Sequence, residues 1–298
     1  LQDWPLQHAP TWALVGLGAA GLAAAWRRWP RSWHWRTVVA GTVLAAAISL
    51  LGPFVFDPLV TATRPLPSGP LRDAVVSVAQ RAGYPSEPAV IAGSRSVTEG
   101  GAHVAGLGPS QRILVNEALL GLPPEQAAVV VAHEVAHAEH ADVVRSALFT
   151  ATGLFAGLWL SHRLLHSPVV RRAVAARSGS DPRLVPVVVA VAAVGTLLAA
   201  PVTNLESRIA ETAADERALE LTGDPATVVR LHRRLVVSGL SDPTPPAWFR
   251  LLFGTHPPTA ARIRQAVAYA GEKDAPLPSV TQLVAQERSL WHRAIRGR

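Results

Sequence analysis

His133 and His137 stand four residues apart, with Glu134 beside the first, in the run H-E-V-A-H. On a helix this spacing puts both imidazoles on one face, one turn apart, where they reach a single zinc ion. Glu134 then points slightly aside, where a carboxylate takes a proton from water at the metal. Zinc lowers the pKa of that water toward about 7, so hydroxide is available at neutral pH. The motif lies within A-A-V-V-V-A-H-E-V-A-H-A. Unpaired His and Glu would be costly to bury in so apolar a run, which weighs against two chance histidines. A catalytic zinc wants three protein ligands and one open position. The longer pattern with a third histidine needs Gly at 140 and His at 143, and this chain has His140 and Val143. Glu211 is the better candidate, with Asp215 one turn further on to accept the N–H of a zinc-bound histidine. Spacing alone does not separate Glu211 from Glu206, Glu216 and Glu220, which also fit a solvated helix face.

The rest of the chain must position these groups. Of its 298 residues 49% are hydrophobic and 16% charged, and the mean hydropathy is +0.23. That is too apolar for an average soluble surface. The net charge is +7, nearly all from arginine. Those arginines flank apolar runs instead of clustering with aromatic groups, so membrane placement is favoured over nucleic-acid binding. Cysteine is absent, so any metal is held by His, Asp or Glu. Methionine is absent even at position 1, from which we expect a trimmed N-terminus.

Four stretches read as membrane spans: Ala9–Trp26, Thr37–Phe56, Ala147–Leu160 (extendable to Leu165) and Leu184–Leu205. Spanning takes about 20 apolar residues, and the second and fourth meet that length comfortably. Gly16, Gly18 and Gly21 form G-L-G-A-A-G, formally a dinucleotide-binding pattern. They lie inside an apolar run without the required preceding strand, so we read them, like Gly153 and Gly157, as sites of close helix approach. Between spans two and three, Pro65, Pro67, Gly69 and Pro70 mark a turn-rich linker. Leu71–Ala82 has helical periodicity, and Val90–Ile91 and Ile113–Val115 are β-type runs with a Gly-rich stretch, 100–108, between them. From Pro124 a helix carries the motif and can run on into the third span. Glu206–Leu221 reads as a helix stopped at Gly223 with Pro225 beyond, and the remainder to Arg298 as helical and basic.

H-E-V-A-H, a membrane hairpin, then E-T-A-A-D and T-H-P-P-T-A-A-R-I resemble the M48 family of membrane zinc metallopeptidases. The resemblance is to the Ste24 (CAAX prenyl protease 1) branch more than to the related HtpX branch, and it covers about Phe54 to Ile263. D-P-L-V-T-A-T-R-P-L-P-S-G-P-L-R resembles the linker before the Ste24 catalytic domain, and R-I-L-V-N-E-A-L-L the strand and turn before its zinc helix. The resemblance implies His133, His137 and Glu211 as zinc ligands, Glu134 as base and Asp215 as support. It also implies His256 and Arg262 beside the substrate and the tetrahedral intermediate. Without it, His256 is an ordinary loop histidine before two prolines. Two departures stand out. Ste24 proteins have seven spans against four here. The family's Asn-Ala on the substrate-binding edge strand is Gly101-Ala102, which leaves backbone pairing along Ala102, His103, Val104 and Ala105 but no side-chain amide.

The expected fold is mainly α and integral to a membrane, with four transmembrane helices and a gluzincin-type zinc protease domain containing a small β-sheet. Its expected parts are an N-terminal hairpin and linker at 1–60, catalytic segments at 61–145 and 206–298, and a second hairpin at 146–205. The expected function is zinc-dependent endopeptidase action, with one zinc ion per chain, on membrane-associated or unfolded proteins at a bacterial cell membrane. The alternatives are a proteolytically silent metal-binding scaffold or chaperone, and a transporter-like protein with His and Glu lining a path. The expected partners are a peptide or protein substrate and the lipid bilayer, with no nucleic acid. Basic loops at 27–36 and 162–183 place the zinc site outside by the positive-inside rule, and the resemblance places it in the cytosol. The sequence leaves the side open.

Overall fold

A computed structural model of the chain describes residues 4–55, 63–84, 88–91, 101–105, 111–179, 181–277 and 279, with backbone only at 4–15, 45–55 and 91. Residues 56–62, residues 100 and 106–108 of the Gly-rich stretch, and 280–298 of the basic tail lie outside the described residues. The chain divides into two compact units, one from Leu1–Ile48 and Val144–Ala199, the other from Ser49–Val143 and Ala200–Arg298.

The first unit is helical. It contains α1 (Trp4–Arg28), most of α2 (Trp33–Val55) and α5 (Asp142–Leu165), the short α6 (Pro168–Ala173) and the first part of α7 (Val185–Thr222). Trp33, Ala25, Leu165 and Leu184 form its buried cluster at the loop ends of the helices. Along the helices themselves Val43, Leu148, Leu154, Val189 and Leu198 are exposed. Asp142–Leu165 and Pro182–Thr222 are long and apolar enough to cross a membrane by length and composition. Among the described residues the glycines do not mark close helix crossings. A Cβ at Gly16, Gly18, Gly21, Gly153 or Gly157 meets nothing within 4 Å among the described residues.

The second unit is built around the motif helix α4 (Pro124–Glu139). Ala127, Val131 and Val135 recur every four residues and pack with Val75, Val90, Ile113 and Val115 from α3 (Pro70–Arg81) and the sheet. Ala128 and Ala132 face Val78, Ala218 and Leu221, and Val129 joins Leu219, Val228 and Leu231. The remaining stripe carries His133, Glu134 and His137, with Val130, at its edge, packed against two of these clusters. Burial on the other faces thus fixes the direction of the three functional side chains.

The sheet runs β1 (Thr63–Pro65), β2 (Ala89–Ile91), β4 (Arg112–Asn116), β3 (Ala102–Ala105) in spatial order. β2 and β4 are parallel and the other pairs antiparallel, with Ala102 opposite Val115 and Ala105 opposite Arg112. Among the described residues β3 is an edge strand. Pro65, expected in a linker, closes the other edge strand, where a residue without an N–H is tolerated.

Two expectations about helix ends need correction. The motif helix does not run into the third span. It stops at Glu139, and Ala141, at φ 53°, turns the chain before α5 starts at Asp142. Conversely, the fourth span and the Glu206–Leu221 helix are one continuous helix, α7, with Pro201 inside it. The lost hydrogen bond at Pro201 does not break a helix whose flanking residues keep helical spacing. α7 ends as expected, with Gly223 at φ 63°. Asp224 then caps α8 (Pro225–Gly239) by accepting from Thr227 N at 2.9 Å. α9 (Ala247–Leu252) and α10 (Thr259–Glu272) complete the described part.

Candidate active site

The two motif imidazoles turn their Nε2 atoms toward each other, 3.1 Å apart. Glu211, on α7, brings Oε2 to 3.3 Å from His133 Nε2 and Oε1 to 3.6 Å from His137 Nε2. One ligand atom from each of these residues lies within 4.8 Å of the other two. The far nitrogens face other carboxylates. His137 Nδ1 is 2.7 Å from Asp142 Oδ2. His133 Nδ1 is 3.0 Å from Asp215 Oδ1, too oblique for a hydrogen bond. Asp215 in turn receives Arg262 Nε at 2.6 Å on Oδ2 and Arg262 Nη2 on Oδ1. His256, on the loop before α10, places Nε2 3.3 Å from Glu211 Oε1, and Arg262 Nη2 is 3.9 Å from Glu211 Oε2.

That loop is held by α7. Asn204 Nδ2 donates to Leu251 O at 3.0 Å, and Arg208 Nη1 donates to Arg250 O and Gly254 O at 2.7 and 2.6 Å. Helix α7 therefore supplies Glu211 and Asp215 and also anchors the segment that leads to His256.

The electrostatics favour positive charge at the point of convergence. Burial alone would lift the Glu211 carboxyl, but His133 and His137 outweigh it and hold the carboxyl far below its usual range. Burial likewise works against the Asp215 carboxylate, and His133 and Arg262 reverse it, to about 2. Burial pushes the Glu134 carboxyl up, offset in part by His133 and His137. A base with a raised pKa is better matched to neutral pH.

These residues fit a divalent cation. With Nδ1 of each imidazole turned to a carboxylate, both Nε2 lone pairs face one another in a buried space. Glu211 Oε2 is also buried there without a hydrogen-bond partner. Two imidazoles and a carboxylate are a donor set suited to zinc. Beside them lies a cavity of about 550 Å³ that reaches Glu134, Gly101 and His232.

Every sequence-derived site residue from His133 to Arg262 comes to this one place. Gly101 lines the same cavity, and Ala102–Ala105 form the edge strand. Three contributors were not anticipated. Asp142 follows the motif by five residues, a spacing that reaches back to His137 only through the turn at Ala141. His232 occupies an apolar-stripe position of α8, where a histidine reads as core. Arg208 gave no sequence signal that separates it from its surface neighbours.

The fold and the site together define a class: a helical protein with a small mixed sheet, in which an H-E-x-x-H helix and a glutamate from a later helix face one point. The chain belongs to peptidase family M48, whose model matches residues 65–270. It is 25% identical over 218 residues to a Bacillus subtilis (strain 168) protein named as the uncharacterized metalloprotease YhfN, covering 72% of this chain and 51% of that one. It thus spans about half the length of that curated relative. The crystal structure of Ste24p from S. mikatae shares its fold, with a TM-score of 0.73 and 21% identity, over 89% of this chain and 65% of that one.

Proposed function

We propose that the chain is a membrane-embedded zinc endopeptidase that cleaves membrane-associated or unfolded proteins. The observation that carries this reading is the convergence of His133 Nε2, His137 Nε2 and the Glu211 carboxylate, with Glu134 beside them on an open cavity. His133, His137 and Glu211 hold one zinc ion, which when bound supplies a Lewis acid that makes water acidic near neutral pH. Glu134 takes the proton of the attacking water and passes it to the leaving amine. Asp215 and Asp142 orient the two imidazoles from behind. His256 and Arg262 donate to the oxygen that gains negative charge in the transition state. The substrate backbone pairs with β3 from Gly101 to Ala105, on the side away from β4.

Segments 61–145 and 206–298 form the catalytic domain, and 1–60 and 146–205 two membrane hairpins, giving four spans in a bacterial cell membrane. The exposed apolar side chains of α5 and α7 support this placement.

Metal analysis of purified protein, with casein or peptide cleavage by wild type beside Glu134→Gln, tests the proposal. We expect about one zinc per chain in both proteins. Cleavage should fall at least about 10²–10⁴-fold in the variant. Absence of stoichiometric zinc, or equal cleavage by the two, sinks the reading.

A further inference from the structure

The cavity that holds His133 and Glu134 is also walled by α8, which gives it the exposed Arg234 and Ser238 and one deeply buried polar group. His232 is only 4% exposed, it faces the cavity, and among the described residues its ring makes no hydrogen bond. Around it the wall is apolar, from Val129, Val228, Leu231 and Leu235. A buried imidazole without a protein partner keeps both a donor and an acceptor for whatever enters the space. An aliphatic group packed there would fit the apolar wall but strand both nitrogens away from water. A neutral group with a hydrogen-bonding end would satisfy wall and imidazole together. A carboxylate would meet three others, Glu134, Glu211 and Asp215, against two guanidiniums, Arg234 and Arg262, on the same cavity.

We infer that this cavity receives the substrate side chain next to the bond to be cut, and that His232 makes it select an uncharged side chain ending in an amide or hydroxyl, such as glutamine, over an aliphatic one of equal size. The inference rests on the peptidase reading above and deepens it to a substrate class. Leucine and glutamine have nearly the same volume, so a difference between them reports the hydrogen bond and not the size of the pocket.

The test uses peptides identical except for Gln, Leu or Glu at the residue on either side of the scissile bond, offered to the full chain in liposomes. Cleavage is located by mass spectrometry. Wild type should cleave the Gln peptide about tenfold better than the Leu peptide, the Glu peptide being poorest. In His232→Leu the order of Gln and Leu should invert, and undiminished cleavage of the Leu peptide shows that the variant is folded. His232→Asn, which keeps a donor and an acceptor, should restore the Gln preference in part. Affinity of the same peptides for Glu134→Gln, with and without His232→Leu, gives a readout independent of turnover. Leu cleaved as well as Gln by wild type, or a Gln preference that survives His232→Leu, overturns the inference. Failure of wild type to cleave any peptide overturns the peptidase reading instead. The binding preference then decides the pocket alone: Gln favoured only while His232 is present upholds it, and no such preference removes it.

Discussion

Asp142 meets His137 Nδ1 at 2.7 Å, the shortest approach of a carboxylate to either motif histidine. Such an outer partner fixes the tautomer that leaves Nε2 free to bind metal. Asp142→Asn should therefore weaken zinc binding about 10–100-fold in competition with a chelator, with the helix content of the protein unchanged. His232 carries a different expectation. Burial first, then Arg262 and His133, hold its pKa down to about 3, against partial opposition from Asp215 and Glu211. Its unfolded value is about 6.5, so below that pH the unfolded chain binds a proton that the folded one refuses. Stability is then lost as pH falls from about 6.5 toward 3, by at most roughly 1.4 kcal/mol per unit. His232→Leu should lose less thermal stability than wild type between pH 7 and 4.5, and parallel curves would refute the assignment. At this scale His133 and His137 were legible as candidate ligands because metal chemistry demands a spacing, whereas Glu211 was singled out by the resemblance and not by spacing. Asp142 and His232 were not, because their roles depend on a turn and on a cavity that no local pattern specifies.

Edge strand β3 begins where a side chain has no room. A Cβ on Gly101 would come within 2.7 Å of Leu119 Cδ1 and 3.3 Å of its Cβ, and Leu119 is fully buried. The 3-10 turn at Glu117–Gly121 that follows β4 thus fills the space that an asparagine at 101 would require. Gly101→Asn alone should destabilise the protein by about 1–3 kcal/mol in denaturant unfolding. Adding Leu119→Ala should recover part of that loss by relieving the overlap. If the double variant is no better than the sum of its two single changes, the steric account fails. Most elements were readable from periodicity and from prolines at helix starts. The break at Ala141 was not, since alanine has no intrinsic preference for positive φ. The contact between Asp142 and His137 rewards the turn there.

The two units differ in what their surfaces leave uncovered. Apolar side chains point outward along α5 and α7 in the first, and polar groups converge in the second. If zinc joins the second unit across both its segments, chelation should lower the thermal midpoint. Zinc at about 100 times its Kd would restore roughly 2.7 kcal/mol. Glu211→Gln should abolish that response. The chain has no cysteine, so single cysteines at Ser178 and Ser241 report sidedness without background. The proposed four spans predict labelling from opposite faces by an impermeant reagent, and labelling from one face would contradict them. Composition made the apolar surface legible, whereas the pairing of segments far apart in sequence became legible only through the order of the three motifs. That order has a consequence in time. Glu134 leaves the ribosome long before Glu211 and Arg262, by on the order of ten seconds at about 5–20 residues per second. On the proposed function, a chain arrested before residue 206 should bind no zinc tightly and cleave nothing, so that each new copy would stay inert until its last motif is made.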